Sequence, residues 1–218
     1  MEQEPDRSET LRGALQGFHQ EFLEEIAIKA TKKGTIALTE EQARSAVNDV
    51  QERLKAKQQI SESLQPMTLL DTLVDAHMLV RSGMANGGVS FQHQQFQEWF
   101  ASFRVQQRLL SASQGDDQER DIIREKVFDV PFWEEAVLFA CDRLSRDDED
   151  GKNAVAWAIR ETLDIDPLLS AEMIFRSSDD VWDRVRDDVV VFAQSWHTSR
   201  MRRPRGHIHD RYGACGVL

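Results

Sequence analysis

The chain has 218 residues, with 38 acidic and 27 basic side chains, a formal net charge of −11 and a sequence pI near 5.0. This length suits one sizeable core or two small ones, and two cysteines, Cys141 and Cys215, are too few for a disulfide framework or a zinc knuckle. The acidic balance opposes non-specific binding to nucleic acid, and no stretch approaches the ~18 continuous apolar residues of a spanning helix, so we expect a cytoplasmic protein without membrane contact.

The first part of the chain predicts three helices, because apolar residues recur at spacings of three and four. The stripe of the first helix comprises Leu11, Leu15, Phe18, Phe22, Leu23 and Ile26. Gly34 is expected to end that helix, and Thr39 with Gln42 fits a capping box that opens the second. The third begins at Pro66, and its stripe continues through His77 and Val80 to Gly83.

A small β-hairpin is predicted next. Asn86, Gly87 and Gly88 tolerate positive φ, and Val89-Ser90-Phe91 alternates like a short strand. A helix, a turn and a helix followed by a hairpin is the order of a winged helix.

An aromatic fourth helix follows the hairpin. It is expected to end at the polar break of residues 111–117. Its predicted buried face comprises Phe96, Trp99, Phe100, Phe103 and Val105.

From there to about residue 198 the sequence predicts antiparallel helix pairs that stack as a solenoid. Asp166-Pro167 and Ser178 are expected to begin helices, and residues 146–151 to form a charged loop. The tail from Ser199 contains five arginines and little helical pattern, so we expect it to be flexible.

The predicted fold class is therefore mainly α, with one small β-hairpin. We expect a helical and winged-helix-like module over residues 1–112, a HEAT-like helical-hairpin array over 116–198 and a basic tail over 199–218.

The chain shows no motif of a nucleotide-binding enzyme. Its 218 residues contain no G-x-x-x-x-G-K-[ST] sequence, since Val89 stands where the lysine would follow the glycines of residues 83–88. Gly151-Lys152 follows a run of acids that would repel a phosphate. We therefore do not expect the chain to be an enzyme.

Metal or acid–base chemistry has candidate residues but no distinctive spacing. His197, His207, His209 and Cys215 could supply four metal donors on paper, and Glu98, Glu134 and Glu135 could act as paired carboxylates. Nothing in the sequence preorganises either set. We expect no metal site, and ordinary surface or helix-start roles for the glutamates.

A winged helix often binds DNA through its third helix, which then carries basic residues. Here the predicted third helix carries two acidic residues, Asp71 and Asp75, and one basic residue, Arg81. We therefore expect protein contact and not nucleic-acid binding, with a DNA-binding transcription regulator as the alternative function.

Eight residues fit the pattern F-x-H-x-x-F-x-E-[YFW]-[FL]-A-[AS] at the start of the fourth helix. They are Phe91, His93, Phe96, Glu98, Trp99, Phe100, Ala101 and Ser102. On these residues the segment 79–102 resembles part of the NACHT-type STAND NTPases, in which a winged-helix domain ends in a short strand and this pattern. More weakly, residues 132–138 and 166–172 resemble the P-x-W-x-E-x-x-L and D-P-x-L-A-A stretches of the same family.

The resemblance implies a role for each residue of the pattern. His93 would contact a phosphate of ADP bound in an NTPase domain, and an imidazole N–H can donate to such an oxygen. Phe91, Phe96, Trp99 and Phe100 would pack the winged helix onto the following helix, and Glu98 would cap a helix or form an ion pair. On this resemblance, ADP or ATP would be bound only by an NTPase domain, and the 218 residues of the chain include no such domain.

The predicted function is a non-catalytic regulatory or sensor piece of a NACHT-type STAND signalling protein. The resemblance implies protein–protein contact, with an NTPase domain in trans as the partner, in defence signalling.

Overall fold

A computed structural model of the chain describes residues 17–82 and 88–202. Over these residues it has nine α-helices and three short strands. The helices are α1 His19–Lys32, α2 Glu40–Ala56, α3 Pro66–Asp75, α4 Gln94–Ser113, α5 Asp117–Ile123, α6 Glu134–Leu144, α7 Glu149–Leu163, α8 Pro167–Arg176 and α9 Asp179–Arg202. The strands are β1 Ala37–Thr39, β2 Leu79–Ser82 and β3 Gly88–Phe91. The mainly helical prediction is confirmed.

The three strands form one antiparallel sheet in the order β1-β3-β2. A hairpin is present as β2 with β3, where Leu79 lies opposite Phe91, but its first strand is formed by residues that the sequence assigned to the third helix. Strand β1 was not predicted, since its three residues are too few to show an alternation. The expected turn residues Asn86 and Gly87 lie outside the described residues.

The predicted start of α2 and the end of α1 are both confirmed. The backbone N–H of Gln42 donates to Thr39 Oγ1 at 3.3 Å, and the N–H of Thr39 donates to Gln42 Oε1 at 3.1 Å. Gly34 follows α1 with a φ of +61°, a conformation that glycine adopts without a Cβ penalty. Leu11 and Leu15 lie outside the described residues.

The third helix is shorter than the sequence predicts. It ends at Asp75, and His77 has a φ of +59°, so the chain turns there and continues as strand β2. The predicted helical stripe through His77 and Val80 is wrong, because Leu79 is buried in the sheet while Val80 is exposed, as the two faces of a strand require. His77 is an exposed turn residue and does not lie on an apolar stripe.

Helix α4 is the element around which the others pack. It contacts α1, α5, α6 and α7. Buried residues before and after it belong to one continuous core. Its own most buried residues recur at helical spacing: Ala101, Ser102, Val105, Leu109 and Ala112. The prediction of an aromatic buried face is wrong for Phe96 and Trp99, which remain 39% and 40% exposed, because the close approach of neighbouring helices selects the small side chains.

Among the described residues, three of the five helices after α4 begin at acidic caps. Asp116, Asp148 and Asp166 accept hydrogen bonds from the first-turn backbone N–H groups of α5, α7 and α8. The expected charged loop 146–151 is shorter than predicted, because Asp148 starts α7 early and buries Gly151. A π-helical segment, Arg124–Phe128, and a 3-10 turn, Pro131–Trp133, join α5 to α6.

The last helix runs further than the sequence predicts. Ser178 precedes it, but its hydroxyl donates to the carbonyl of Ser145 at 2.8 Å. Helix α9 then continues to Arg202, four positions past the predicted limit at residue 198. The rest of the predicted tail, from residue 203, lies outside the described residues.

We expect Leu109→Ala to lower the free energy of unfolding by about 2–5 kcal/mol, because it leaves a cavity where a fully buried α4 side chain was. Urea denaturation followed by circular dichroism measures this change. The control is Leu168→Ala, since Leu168 is 63% exposed and its loss should cost less than about 0.5 kcal/mol. Equal effects of the two substitutions would contradict this placement of α4.

Candidate functional site

The residues of the aromatic pattern lie where strand β3 meets helix α4. Phe91 ends the strand, and His93 occupies the N-cap position of α4 with an extended backbone (φ −132°, ψ 141°). The His93 side chain is exposed and makes no capping hydrogen bond. Its ring lies 5.7 Å from the ring of Phe96, centroid to centroid. The strand and the helix thus present an imidazole to solvent at a fixed position.

Phe91 and Phe100 hold the strand against the helix. Their rings stack with centroids 5.8 Å apart, and Phe91 is only 6% exposed. These two residues therefore pack strand β3 against helix α4.

Trp99 belongs to an aromatic cluster between α4 and α6. Its ring meets Phe103 and Phe139 edge to face, with centroids 5.7 and 5.5 Å away. The Arg143 guanidinium carbon lies 4.8 Å from the Trp99 ring centroid and 4.2 Å from that of Phe103. The tryptophan is therefore held rigidly on one side and exposed on the other.

Arg143 joins α6 to α4 by hydrogen bonds as well as by cation–π contact. Its Nε donates to Gln106 Oε1 at 2.7 Å, and its Nη2 donates to Ser102 Oγ at 2.8 Å. Burial lowers the pKa of Arg143, and the carboxylates of Asp142 and Glu24 oppose that shift. Sequence reasoning missed this residue, since no local pattern distinguishes it from other surface arginines.

Gln97 is a second residue that sequence reasoning missed. It is buried, with its Nε2 donating to Thr31 Oγ1 at 3.3 Å and to the Thr35 carbonyl at 3.1 Å. These bonds tie the first turns of α4 to the end of α1. The available signal was its spacing, since Gln97 lies one helical turn before Ala101 and two before Val105.

Glu98 has neither of the roles expected for it. Its carboxylate accepts a hydrogen bond from Gln94 Nε2 at 2.8 Å, and it forms no ion pair within 4 Å among residues 17–82 and 88–202. Partial burial raises the pKa of Glu98, the hydrogen bond from Gln94 lowers it, and the charge of Glu135 adds to the rise.

Of the three candidate carboxylates, Glu98 and Glu134 each lie near Glu135, whose charge adds to the rise in their pKa that burial causes. Glu135 is held by Arg176, whose two terminal nitrogens lie 2.9 and 3.0 Å from its oxygens. Burial raises the pKa of Glu134, and the charge of Asp166 adds to the rise.

Within the described residues no group of three or more His, Cys, Asp or Glu side chains is arranged to hold a metal ion. The other metal candidates, the side chains of His197, His207, His209 and Cys215, lie outside the description.

Cys141 is a free thiol buried in α6. Burial raises its pKa to about 12, and the neighbouring charge of Asp142 adds to the rise. The side chain therefore packs in the core as a protonated thiol.

Comparison of the chain with protein-family models, curated proteins and solved structures gives no match. Among the helices in residues 17–82 and 88–202, none combines the length and apolar character needed to cross a membrane.

We expect Glu98→Gln to stabilise the protein at pH 7, because the substitution removes a partly buried charge whose pKa is raised. In the wild type, the free energy of unfolding falls as the pH rises from the ordinary glutamate pKa of about 4.3 through the higher pKa of folded Glu98, because the carboxylate then ionises while partly buried. The gain should be below about 1 kcal/mol, because Glu98 is partly exposed, and should vanish at pH 4 and below. Urea titrations at pH 4 and pH 7 measure it.

The matched control is Glu41→Gln, which removes an exposed carboxylate at the start of α2. A stability gain at pH 7 that Glu41→Gln matches, or a loss on Glu98→Gln, would contradict the assigned environment of Glu98.

Proposed function

We propose that the chain is a non-catalytic regulatory or sensor unit of a NACHT-type STAND signalling protein, acting through protein contact in defence signalling. The observation that carries the proposal is the placement of His93. It stands exposed at the N-terminus of α4, between Phe91, which packs into the core, and Gln97, which ties the helix to α1.

The surroundings of His93 suit a phosphate contact. The N-terminus of a helix carries partial positive charge, and α4 has no acidic residue in its first turn. The His93 ring makes no hydrogen bond to any residue in the described part of the chain, so an N–H is free to donate to a phosphate oxygen. In the proposed function that phosphate belongs to ADP held by an NTPase domain.

The order of elements supports the finer fold assignment that the resemblance implies. Helix, strand, two helices and two strands is the order of a winged helix, and α1 to β3 follow it. The successive helices from α5 to α9 support a HEAT-like array of helical hairpins, in which α7 packs against both α8 and α9.

Exposed aromatic rings beside His93 support a protein partner. Phe96 and Trp99 are 39% and 40% exposed on the same first turns of α4. Aromatic side chains of this kind are enriched at protein interfaces and contribute much of their binding energy. We therefore place the proposed partner on the surface formed by His93, Phe96 and Trp99, which we term the α4 start surface.

The alternative of a DNA-binding transcription regulator has less support. Helix α3 carries Asp71 and Asp75 and no basic residue. Arg81, the nearest base in the sequence, is hydrogen-bonded to Asp71 and lies 3.6 Å from Glu40. These carboxylates would repel DNA phosphates.

We expect the tagged chain to recover a P-loop NTPase from its native cytosol in the presence of ADP, and His93→Ala to reduce that recovery at least about tenfold, as loss of one charge-assisted hydrogen bond does. The measurement is a pull-down with and without ADP, followed by identification of the bound proteins.

The matched control is His19→Ala, which removes an exposed histidine from the start of α1. Recovery that depends on ADP and His93 but not on His19 supports the proposal. Equal recovery with His93→Ala, or no NTPase from the folded wild type, contradicts action in trans.

A further inference from the structure

A cleft of about 520 Å³ lies between the end of α1, the middle of α4 and the π-helical segment. Its volume is within the range of about 300–1,000 Å³ typical of small-molecule sites. Arg104, one of its lining residues, is about 16 Å along α4 from His93 at 1.5 Å per residue. The cleft therefore differs from the α4 start surface.

Four cations line this cleft: Lys32, Arg104, Arg108 and Lys126. Glu125 is the carboxylate in the same lining. The lining of the cleft is therefore positively charged, although the whole chain has a formal charge of −11.

Neighbouring carboxylates neutralise only part of that charge. Arg108 pairs with Glu119 at 2.7 Å, but Arg104 reaches Glu25 only at 4.0 Å. Glu25 in turn lies 2.7 Å from Arg53. In the part of the chain that the structure describes, Lys32 and Lys126 form no ion pair within 4 Å.

Two further observations favour an anion as the ligand of this cleft. The Nε of Arg104 is buried without a hydrogen-bond partner, and a buried unpaired donor costs free energy that a ligand acceptor would offset. Partial burial lowers the pKa of Lys32, and the positive charges of Arg108 and Arg104 add to the fall against the opposing effect of Glu25. An anion in the cleft would offset the mutual repulsion of these cations and favour the charged form of Lys32.

The remaining lining is apolar. Trp133 and Val127 are 5% and 4% exposed, and Ile122 and Val130 complete this wall. Val127 and Lys126 belong to the π-helical segment, a local geometry that is frequent at functional sites. A ligand with an apolar body and an anionic group would match both parts of the lining.

We propose that this cleft binds a small organic phosphate, with the phosphate group among Lys32, Arg104 and Lys126 and the apolar body against Trp133 and Val130. A phosphate monoester carries a charge of about −1.5 to −2 at pH 7, which matches two unpaired lysines better than a single carboxylate does. The proposal does not depend on the proposed contact of His93.

Titration calorimetry of the full chain with phenyl phosphate tests this site. The wild type should bind it, and should bind inorganic phosphate more weakly, because inorganic phosphate makes no contact with the apolar wall. Lys32→Gln should weaken phenyl phosphate binding about tenfold, the usual effect of removing one charged hydrogen-bond donor. Lys126→Gln is a second variant at the exposed rim, with the same expected direction.

Lys33→Gln is the matched control, since Lys33 is exposed, adjoins Lys32 and changes the net charge equally without lining the cleft. Its affinity should equal that of the wild type. The proposal is overturned if phenyl phosphate does not bind, or if Lys33→Gln weakens binding as much as Lys32→Gln and Lys126→Gln do. It is also overturned if a single-stranded oligonucleotide binds while phenyl phosphate does not.

Discussion

Close packing around helix α4 is the constraint on which the rest of the structure depends. Three of its six buried residues, Ala101, Ser102 and Ala112, are small and completely buried, so α1 and α6 can approach its backbone. Two polar connections fix these contacts in register. Gln97 bonds to residues at the end of α1, and Arg143 on α6 bonds to Ser102. Because a buried hydrogen bond is lost at a cost of about 1–3 kcal/mol when one partner is removed, these bonds specify one arrangement of the helices.

The same helix positions both proposed sites. Its first turns carry His93 and the exposed aromatic rings, and its middle carries the arginines that line the cleft proposed to bind a phosphate. A ligand in the cleft would contact both α1 and α4. These are the two helices that Gln97 joins by hydrogen bonds, close to the α4 start surface. The two proposed sites therefore share the packing of α1 on α4 that Gln97 holds together.

Much of the fold was predictable because its signals are local. Thr39 with Gln42, the Asp166 cap and Gly34 act on their immediate neighbours, and each stands in the structure where the sequence places it. The sequence predicts a helix over residues 79–82 because the apolar residues there continue the spacing of α3. In the structure the positive φ of His77 separates α3 from strand β2. The exposure of Phe96 and Trp99, the bonds of Arg143 and the charged cleft depend on residues far apart in sequence, so no local pattern could predict them.

The account holds that α4 couples the elements before and after it into one cooperative unit. Hydrogen–deuterium exchange over a series of urea concentrations, resolved by peptide mass spectrometry, tests this most directly. The account predicts that residues 22–30 of α1 and residues 154–159 of α7 exchange with the same free energy of opening and the same dependence on urea. Opening of α1 and the sheet at clearly lower free energy, while α6 to α8 stay protected, would contradict it.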